Sequence, residues 1–249
     1  MEMRERVPLS SLTAIQLGGV ARYVLEAKTA ADIQDGFRFA RERGLRLTLL
    51  AGGAAVLPAD TDFDGVVLHI IGEPIKPGKT LQTFFAGDSI SGIGSIGGAI
   101  VDNALVGSDE IGRQVNAITV LRPDGKREVV LPDVCGFGLH RSIFQTTTNI
   151  VLQVTGTISA VQPAASLPDA SLRLFYDPPG TTAAQVIHEL GLAQRTMGGI
   201  RLWADDAAVA INAGQGTAEQ VVALMSLVKQ QARDTLGIQL RDAVHYIGF

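Results

Sequence analysis

Two glycine-rich stretches, each fed by a short apolar run, constrain this chain more than any other feature. Leu47 to Leu50 runs into Gly52-Gly53, and a second apolar run, Val66 to Ile71, follows an acidic turn. Further on, residues 87–112 read GDSISGIGSIGGAIVDNALVGSDEIG. A strand that ends in glycines presents backbone N–H groups, a common way to hold a phosphate. Neither stretch is a P-loop, since no Gly-Lys-Ser/Thr follows. Neither offers a Gly-x-Gly-x-x-Gly that opens a helix with an acid further on. Gly94, Gly97 and Gly98, beside Ser95 and ahead of Asn103, are expected in a loop, where glycine lets the backbone approach a ligand closely. A tight connection between core elements has the same composition.

Around these stretches the chain alternates strands and helices. Residues 22–27 read as a strand. Thr29 then caps a helix with Asp32 at its third position; Ile33, Phe37 and Ala40 share a face, and Gly44 stops it. With residues 46–50 as a strand this is a βαβ-like opening. Strands follow at 66–71 and 80–86. Residues 115–122 and 126–130 flank Arg-Pro-Asp-Gly as a hairpin, and 149–160 form a long alternating strand. Residues 161–170, rich in Pro, Ala and Ser, are the best linker candidate. Beyond them, Thr182 to Gln185 and Thr217 to Gln220 are capping boxes, for a helix ending at Gly191 and for one closed by Gly237. Residues 207–212 read as a strand, and 238–248 end the chain as another. Two domains are expected, a β-rich α+β one to about residue 160 and a small α/β one from about 171.

The chain's 249 residues, 46% apolar and 18% charged, suffice for one large core or two small ones. A net charge of −4 and a pI near 5.6 argue against nucleic acid or an anionic membrane as partner. No apolar run reaches the roughly 20 residues that span a bilayer, and the charged start MEMRERVPLSS lacks the apolar core of a signal peptide. With a single cysteine, Cys135, the expected location is the cytoplasm. Cys135 has no local His or acid and reads as a buried small side chain. His69, His188 and His245 have no second ligand at metal spacing, so no metal is expected. Asp205-Asp206 reads as a solvated turn.

The glycine stretches, in this order and followed by a strand, a hairpin and a second domain, resemble the UDP-N-acetylenolpyruvoylglucosamine reductase family, MurB, among the vanillyl-alcohol-oxidase-like flavoproteins. The resemblance covers nearly the whole chain. LSSLTAIQLGGVARYVLEAKTAADI looks like the family's opening; LLAGGAAVLPADTDFDGVVL and IGSIGGAIVDNALVGSDEI look like its two flavin loops. FGLHRSIFQ resembles its Phe-Gly-Tyr-Arg-x-Ser segment. AAQVIHELGL, GIRLWADDAAVAIN and LGIQLRDAVHYIG resemble its third-domain helix and strands. The implied fold is α+β, a truncated vanillyl-alcohol-oxidase-like FAD-binding domain at 1–160, with lobes at about 1–71 and 72–160. A linker at 161–170 and a small MurB-type C-terminal α/β domain at 171–249 follow.

The resemblance implies FAD, NADPH as hydride source, and reduction of the enolpyruvyl group on UDP-N-acetylglucosamine for peptidoglycan. A serine would protonate the carbanion, and an arginine and a glutamate would polarise the substrate. Carried over residue by residue, this chain departs from that set. The first loop's Gly-Ser-Asn is Gly53-Ala54-Ala55, without hydroxyl or amide. Tyr-Arg is Leu139-His140, with Arg141 next. The serine falls on Arg173, which cannot donate a proton at neutral pH. A Ser-x-x-His-x-Asn pattern falls on Trp203 to Ala208. The glutamate falls on Ala243, beside Asp242. No helix of ordinary length fits between the 80–86 strand and the second glycines.

The residues expected at a cofactor, if FAD is bound, are Gly52, Gly53, Ala54, Ser95, Gly97, Gly98 and Asn103. Three readings follow. In the first, the chain is non-catalytic, needs no cofactor and acts by binding a protein of peptidoglycan synthesis or a second copy of itself. In the second it is a working FAD/NADPH reductase with relocated groups, Arg141 for the arginine and Asp242 for the glutamate. In the third it holds a UDP-sugar without flavin, and Arg173, Arg195 and Arg201 could grip its diphosphate.

Overall fold

The computed structural model describes every residue except Pro77, Lys79, Gly92, Gly107, Ser108 and 159–166. The strands are β1 (Glu2–Pro8), β2 (Val20–Ala27), β3 (Arg46–Leu50), β4 (Val56–Pro58), β5 (Phe63–Ile70), β6 (Gln82–Phe85), β7 (Ser89–Ile90), β8 (Gly94–Ser95), β9 (Leu105–Val106) and β10 (Asp109–Glu110). They continue with β11 (Val115–Leu121), β12 (Arg127–Val130), β13 (Ile150–Gly156), β14 (Ser171–Arg173), β15 (Thr196–Met197), β16 (Ile200–Leu202), β17 (Val209–Asn212) and β18 (His245–Ile247). The helices are α1 (Ala30–Glu42), α2 (Ile96–Asp102), α3 (Ala183–Glu189) and α4 (Ala218–Leu236). Contacts divide the chain into two units that interleave along the sequence. The first holds Met1–Glu5, Tyr23–Gly52 and Asp64–Ser166; the second holds Arg6–Arg22, Gly53–Phe63 and Leu167–Phe249. The expected linker at 161–170 lies mostly outside the described residues.

The first unit contains two four-stranded sheets. One runs β1-β2-β5-β3, with β3 and β5 parallel. The βαβ opening is therefore real, with β5 inserted between its two strands. β1 has no counterpart among the sequence expectations, because its alternating charges give an edge strand no apolar face to read. The α1 cap forms as expected: Thr29 Oγ1 accepts from Asp32 N, and the Asp32 carboxylate accepts from Thr29 N. The second sheet runs β12-β11-β13-β6, antiparallel throughout, with the Arg122–Lys126 turn closing the hairpin. The strand expected over 149–160 ends at Gly156, and 159–160 lie outside the described residues. Leu25, Ile33, Val66 and Leu68 pack with Leu121 and Leu152, so one apolar cluster ties the two sheets of this unit through α1.

The glycine stretch corrects the expected loop. Gly97 and Gly98 sit in the first turn of α2. Two glycines cost about 1 kcal/mol each in a helix interior, so propensity alone points away from one. Tertiary bonds override it. Ser95 Oγ accepts from Gly98 N, and Gly97 N donates to Ala86 O at 2.9 Å. A Cβ on Gly97 would lie 2.9 Å from that same oxygen. The glycine lets the helix sit against the chain at Ala86 while Ile96, Ala99 and Ile100 enter the core. Between β6 and α2 the described residues make the short β7–β8 pair and no helix.

The second unit is a sheet with helices on one face. The order is β14-β17-β16-β15, antiparallel. Leu172, Ala210, Leu202 and Ile200 pack with Val186, Ile187, Val221, Leu224 and Val228. Both capping boxes form, and Gly237 ends α4 at φ 68°. The first turn of α4 has a further cap: Asp60 accepts from Ala218 N at 2.8 Å and Glu219 N at 3.1 Å. The strand expected over 238–248 is a correction, since only His245–Ile247 is strand, parallel to β4. Residues 241–245 divide their bonds. Tyr176 N donates to Arg241 O, Ala243 N to Leu174 O, and His245 N to Ala55 O. A segment shared between two partners does not build one ladder.

Candidate functional site

In the first unit, the second glycine stretch and the Leu139-His140 segment come together. Asn103 ends α2 in the left-handed region, φ 44°, and is 1% exposed. Its Nδ2 donates to Gly138 O at 2.9 Å and its Oδ1 accepts from Gly112 N at 3.0 Å. Its side chain thus bonds two backbone segments of its own unit. Ser95 Oγ likewise accepts from Gly98 N as the α2 cap. Gly138 and Arg141 bond reciprocally across a tight turn with Leu139 and His140 at its tip. Ser142 Oγ donates to Val101 O at 2.7 Å and holds that turn in register. A one-residue slip, which would carry Arg141 into the position of His140, breaks both contacts; Arg141 is exposed.

The first glycine loop is held by packing. Gly53 has φ +65°, its carbonyl accepts from Ala14 N, and a Cβ there would overlap Leu12 O. The conformation and the crowding each require glycine. Gly52 and Ala54 are exposed, and Ala54 contributes only a methyl.

In the second unit, the positions that the resemblance assigns to serine and histidine have become an ion pair. Arg173 Nη2 lies 2.5 Å from Asp206 Oδ2, and Asp206 Oδ1 accepts from Ala208 N at 3.0 Å. Arg173 was a sequence candidate; the importance of Asp206 was not seen, because an Asp-Asp turn gives no signal of which strand it folds over. Ala243 is buried, 5% exposed. Asp242 is bonded by Lys229 Nζ at 2.9 Å and by Tyr246 Oη at 3.1 Å. Burial, and then the Asp242 charge it faces, push the Tyr246 phenol well above its ordinary range. The three arginines are not brought together. Arg173 opposes Val209 and Arg201 opposes Ile211, so both lie on the sheet face away from the core. Arg195 lies before β15 in the turn after α3, where its N–H donates to Leu192 O, and is exposed.

Among the described residues no group of three His, Cys, Asp or Glu side chains is placed to hold a metal, and no helix is long and apolar enough to cross a membrane. Cys135 is buried, donates to Leu131 O at 3.2 Å, and burial pushes its thiol up to about 11.

These units define an α+β protein with a two-sheet, glycine-loop part and a small α/β part. The model of the UDP-N-acetylenolpyruvoylglucosamine reductase C-terminal domain matches residues 163–247. The chain is 26% identical to the UDP-N-acetylenolpyruvoylglucosamine reductase of Chlamydia felis over 283 aligned positions, covering 99% of this chain and 95% of that one. It is 28% identical to that of Rhodopirellula baltica, covering 96% and 90%. The Chlamydia alignment exceeds this chain's 249 residues, so the relative has segments that are missing here. The crystal structure of the Thermus caldophilus reductase, MurB, has the same fold, with a TM-score of 0.76 at 22% identity over 99% of this chain and all of that one. The chain is thus similar along its length to UDP-N-acetylenolpyruvoylglucosamine reductases, and residues 163–247 match the C-terminal domain of that family.

Proposed function

We propose that this chain is a non-catalytic, cytosolic member of that peptidoglycan-precursor family and acts by binding. The observation that carries the reading is the Arg173–Asp206 ion pair. By resemblance its two members stand where the family has its proton-donating serine and a histidine. Arginine stays charged at any working pH and cannot deliver the proton. The positions for glutamate and arginine support the same reading, with Ala243 buried and His140 at a turn tip whose register leaves Arg141 elsewhere. Asp242, the relocated alternative, is neutralised by Lys229.

FAD, which the family implies, would rest on Gly52, Gly53, Ala54, Ser95, Gly97, Gly98 and Asn103. Those residues fit it poorly. Ala54 has no polar atom, and Asn103 spends its own within the chain. What remains is the O–H of the buried Ser95, whose oxygen already accepts from Gly98 N, and backbone N–H groups, so no chemical step runs through the flavin. The partner on this reading is a protein of peptidoglycan synthesis, a second copy or a UDP-sugar.

The test is the visible absorbance spectrum of the purified, folded protein, before and after excess FAD and desalting. The reading expects no retained flavin bands. Retained bands with NADPH oxidation that depends on the enolpyruvyl substrate would overturn it in favour of a working reductase.

A further inference from the structure

The hairpin of the first unit leaves its sheet with an open edge. β12 pairs with β11 and, among the described residues, with no other strand. The closing turn fixes which backbone groups face outward. Arg122 N donates to Lys126 O, and bonded pairs recur at every second residue of an antiparallel ladder, so Glu128 and Val130 bond inward to Val120 and Ile118. Arg127, Val129 and Leu131 therefore turn their N–H and C=O groups away from β11. Leu131 is still extended, with φ −92° and ψ 156°, although its carbonyl is taken by Val134 N and Cys135 Sγ.

Natural sheet edges are guarded by charges, prolines or bulges; this one presents apolar side chains. Val130 packs against its unit's apolar cluster, so by alternation Val129 and Leu131 stand on the opposite face, 62% and 57% exposed. The two charged residues of the strand make contacts inside the chain: Arg127 bonds Gln34 Oε1, and Glu128 bonds Arg122. Gln34 is neutral and does not balance the Arg127 charge. The edge is complementary to itself. In an antiparallel pair with Val129 on the two-fold axis, the N–H and C=O of Val129 meet those of a second Val129, and Leu131 N–H meets Arg127 O of the other copy. Val129 then lies directly opposite Val129 and diagonal to Leu131. Arg127 lies diagonal to Asp133 of the other copy, an exposed acid just past the strand. Glu128 comes diagonal to its own counterpart, but each is already balanced by Arg122 at 3.0 Å.

We propose that this edge pairs with the same edge of a second copy, joining two four-stranded sheets into one continuous sheet. This deepens the binding reading and rests on it for its purpose, because it selects the second copy among that reading's partners. A single short strand pair buries less than the roughly 1,200 Å² of stable complexes, so the dimer is weak and forms at high protein concentration.

The test is sedimentation velocity of the full chain over a concentration series that reaches the millimolar range. The chain is expected to pass from monomer to dimer. Val129→Lys sets two ammonium groups against each other on the two-fold axis and should weaken association by about tenfold or more. Val129→Pro, which removes the outward N–H and spares the bonds to β11, should do the same. Arg127→Glu alone should weaken it several-fold, and adding Asp133→Arg should restore it. Circular dichroism confirms that each variant is folded. A chain that stays monomeric throughout overturns the proposal and leaves the edge to a different protein. A dimer that survives both Val129 variants, or that the double charge reversal fails to restore, overturns it as well. Flavin retention with turnover would instead sink the non-catalytic reading and leave the sedimentation result standing, so the two failures are told apart.

Discussion

The glycine stretch of the first unit and the ion pairs of the second differ in how their polar side chains are satisfied. In the first, Asn103 and Ser95 are neutral and buried, and each bonds backbone groups of its own loops. In the second, Arg173, Asp206, Lys229 and Asp242 are charged and partly exposed, and they bond one another. Neutral buried groups without partners are costly, so the first arrangement belongs to the fold. Exposed ion pairs contribute little, so the second can be changed without unfolding the chain. The two regions should therefore respond differently to substitution.

The largest effect is expected at Gly53. Alanine there meets both the positive φ and the Leu12 carbonyl, and the loss should reach about 3 kcal/mol or more. Thermal denaturation of Gly53→Ala checks it. A melting temperature within a degree or two of the parent would show that the loop moves freely and that packing is not what demands the glycine. Next comes Asn103→Ala, which strands Gly112 N and Gly138 O and puts alanine at φ 44°. About 2–3 kcal/mol is expected, read from the shift of the urea midpoint.

Arg173→Ser is expected to cost less than about 1 kcal/mol, because its side chain is 41% exposed and solvent screens the pair. It should also restore no reductase activity, since Ala243 and His140 remain. If Arg173→Ser destabilised as much as Asn103→Ala, the contrast between the two regions would fail, and the ion pair would count as part of the core.

Much of this architecture could be read in advance, and the reasons are local. Thr29, Thr182 and Thr217 each carry their partner three residues on, and all three capping boxes form. The Pro-Asp-Gly hairpin and the Leu47–Leu50 and Val66–Ile70 runs likewise declare themselves within a few residues. What was missed depends on distant residues. α2 exists because Asp88, Ala86 and Ser95 satisfy its first turn, and two glycines hide it. Asp60 caps α4 from 158 positions away. Asp206 finds Arg173 only through the register of β14 on β17. The candidate site was legible as a set of substitutions along the chain; that two of them are partners was not.

The smallest effect lies in the first unit and is seen only as pH changes. His69 stands on β5 near the Arg4–Glu26 ion pair, and its Nδ1 is buried without a hydrogen-bond partner among the described residues. Burial lowers its pKa from 6.5, opposed by attraction to Glu26 and assisted by Arg4. The folded chain therefore takes up a proton at this site less readily than the unfolded chain does. Below pH 6.5 the unfolded state binds more protons, so stability falls as pH falls through that value, until the folded form also protonates. Above 6.5 His69 is neutral in both states and makes no pH-dependent difference. His69→Gln should flatten this part of the profile between about pH 6.5 and 5 while leaving stability at pH 8 nearly unchanged. Melting temperatures of the two proteins across that range decide it. A parent profile as flat as the variant's would mean that the Glu26 carboxylate stabilises the imidazolium enough to cancel the burial penalty. That outcome would make the imidazolium a third member of the charge compensation that Arg4 and Glu26 already provide in this unit.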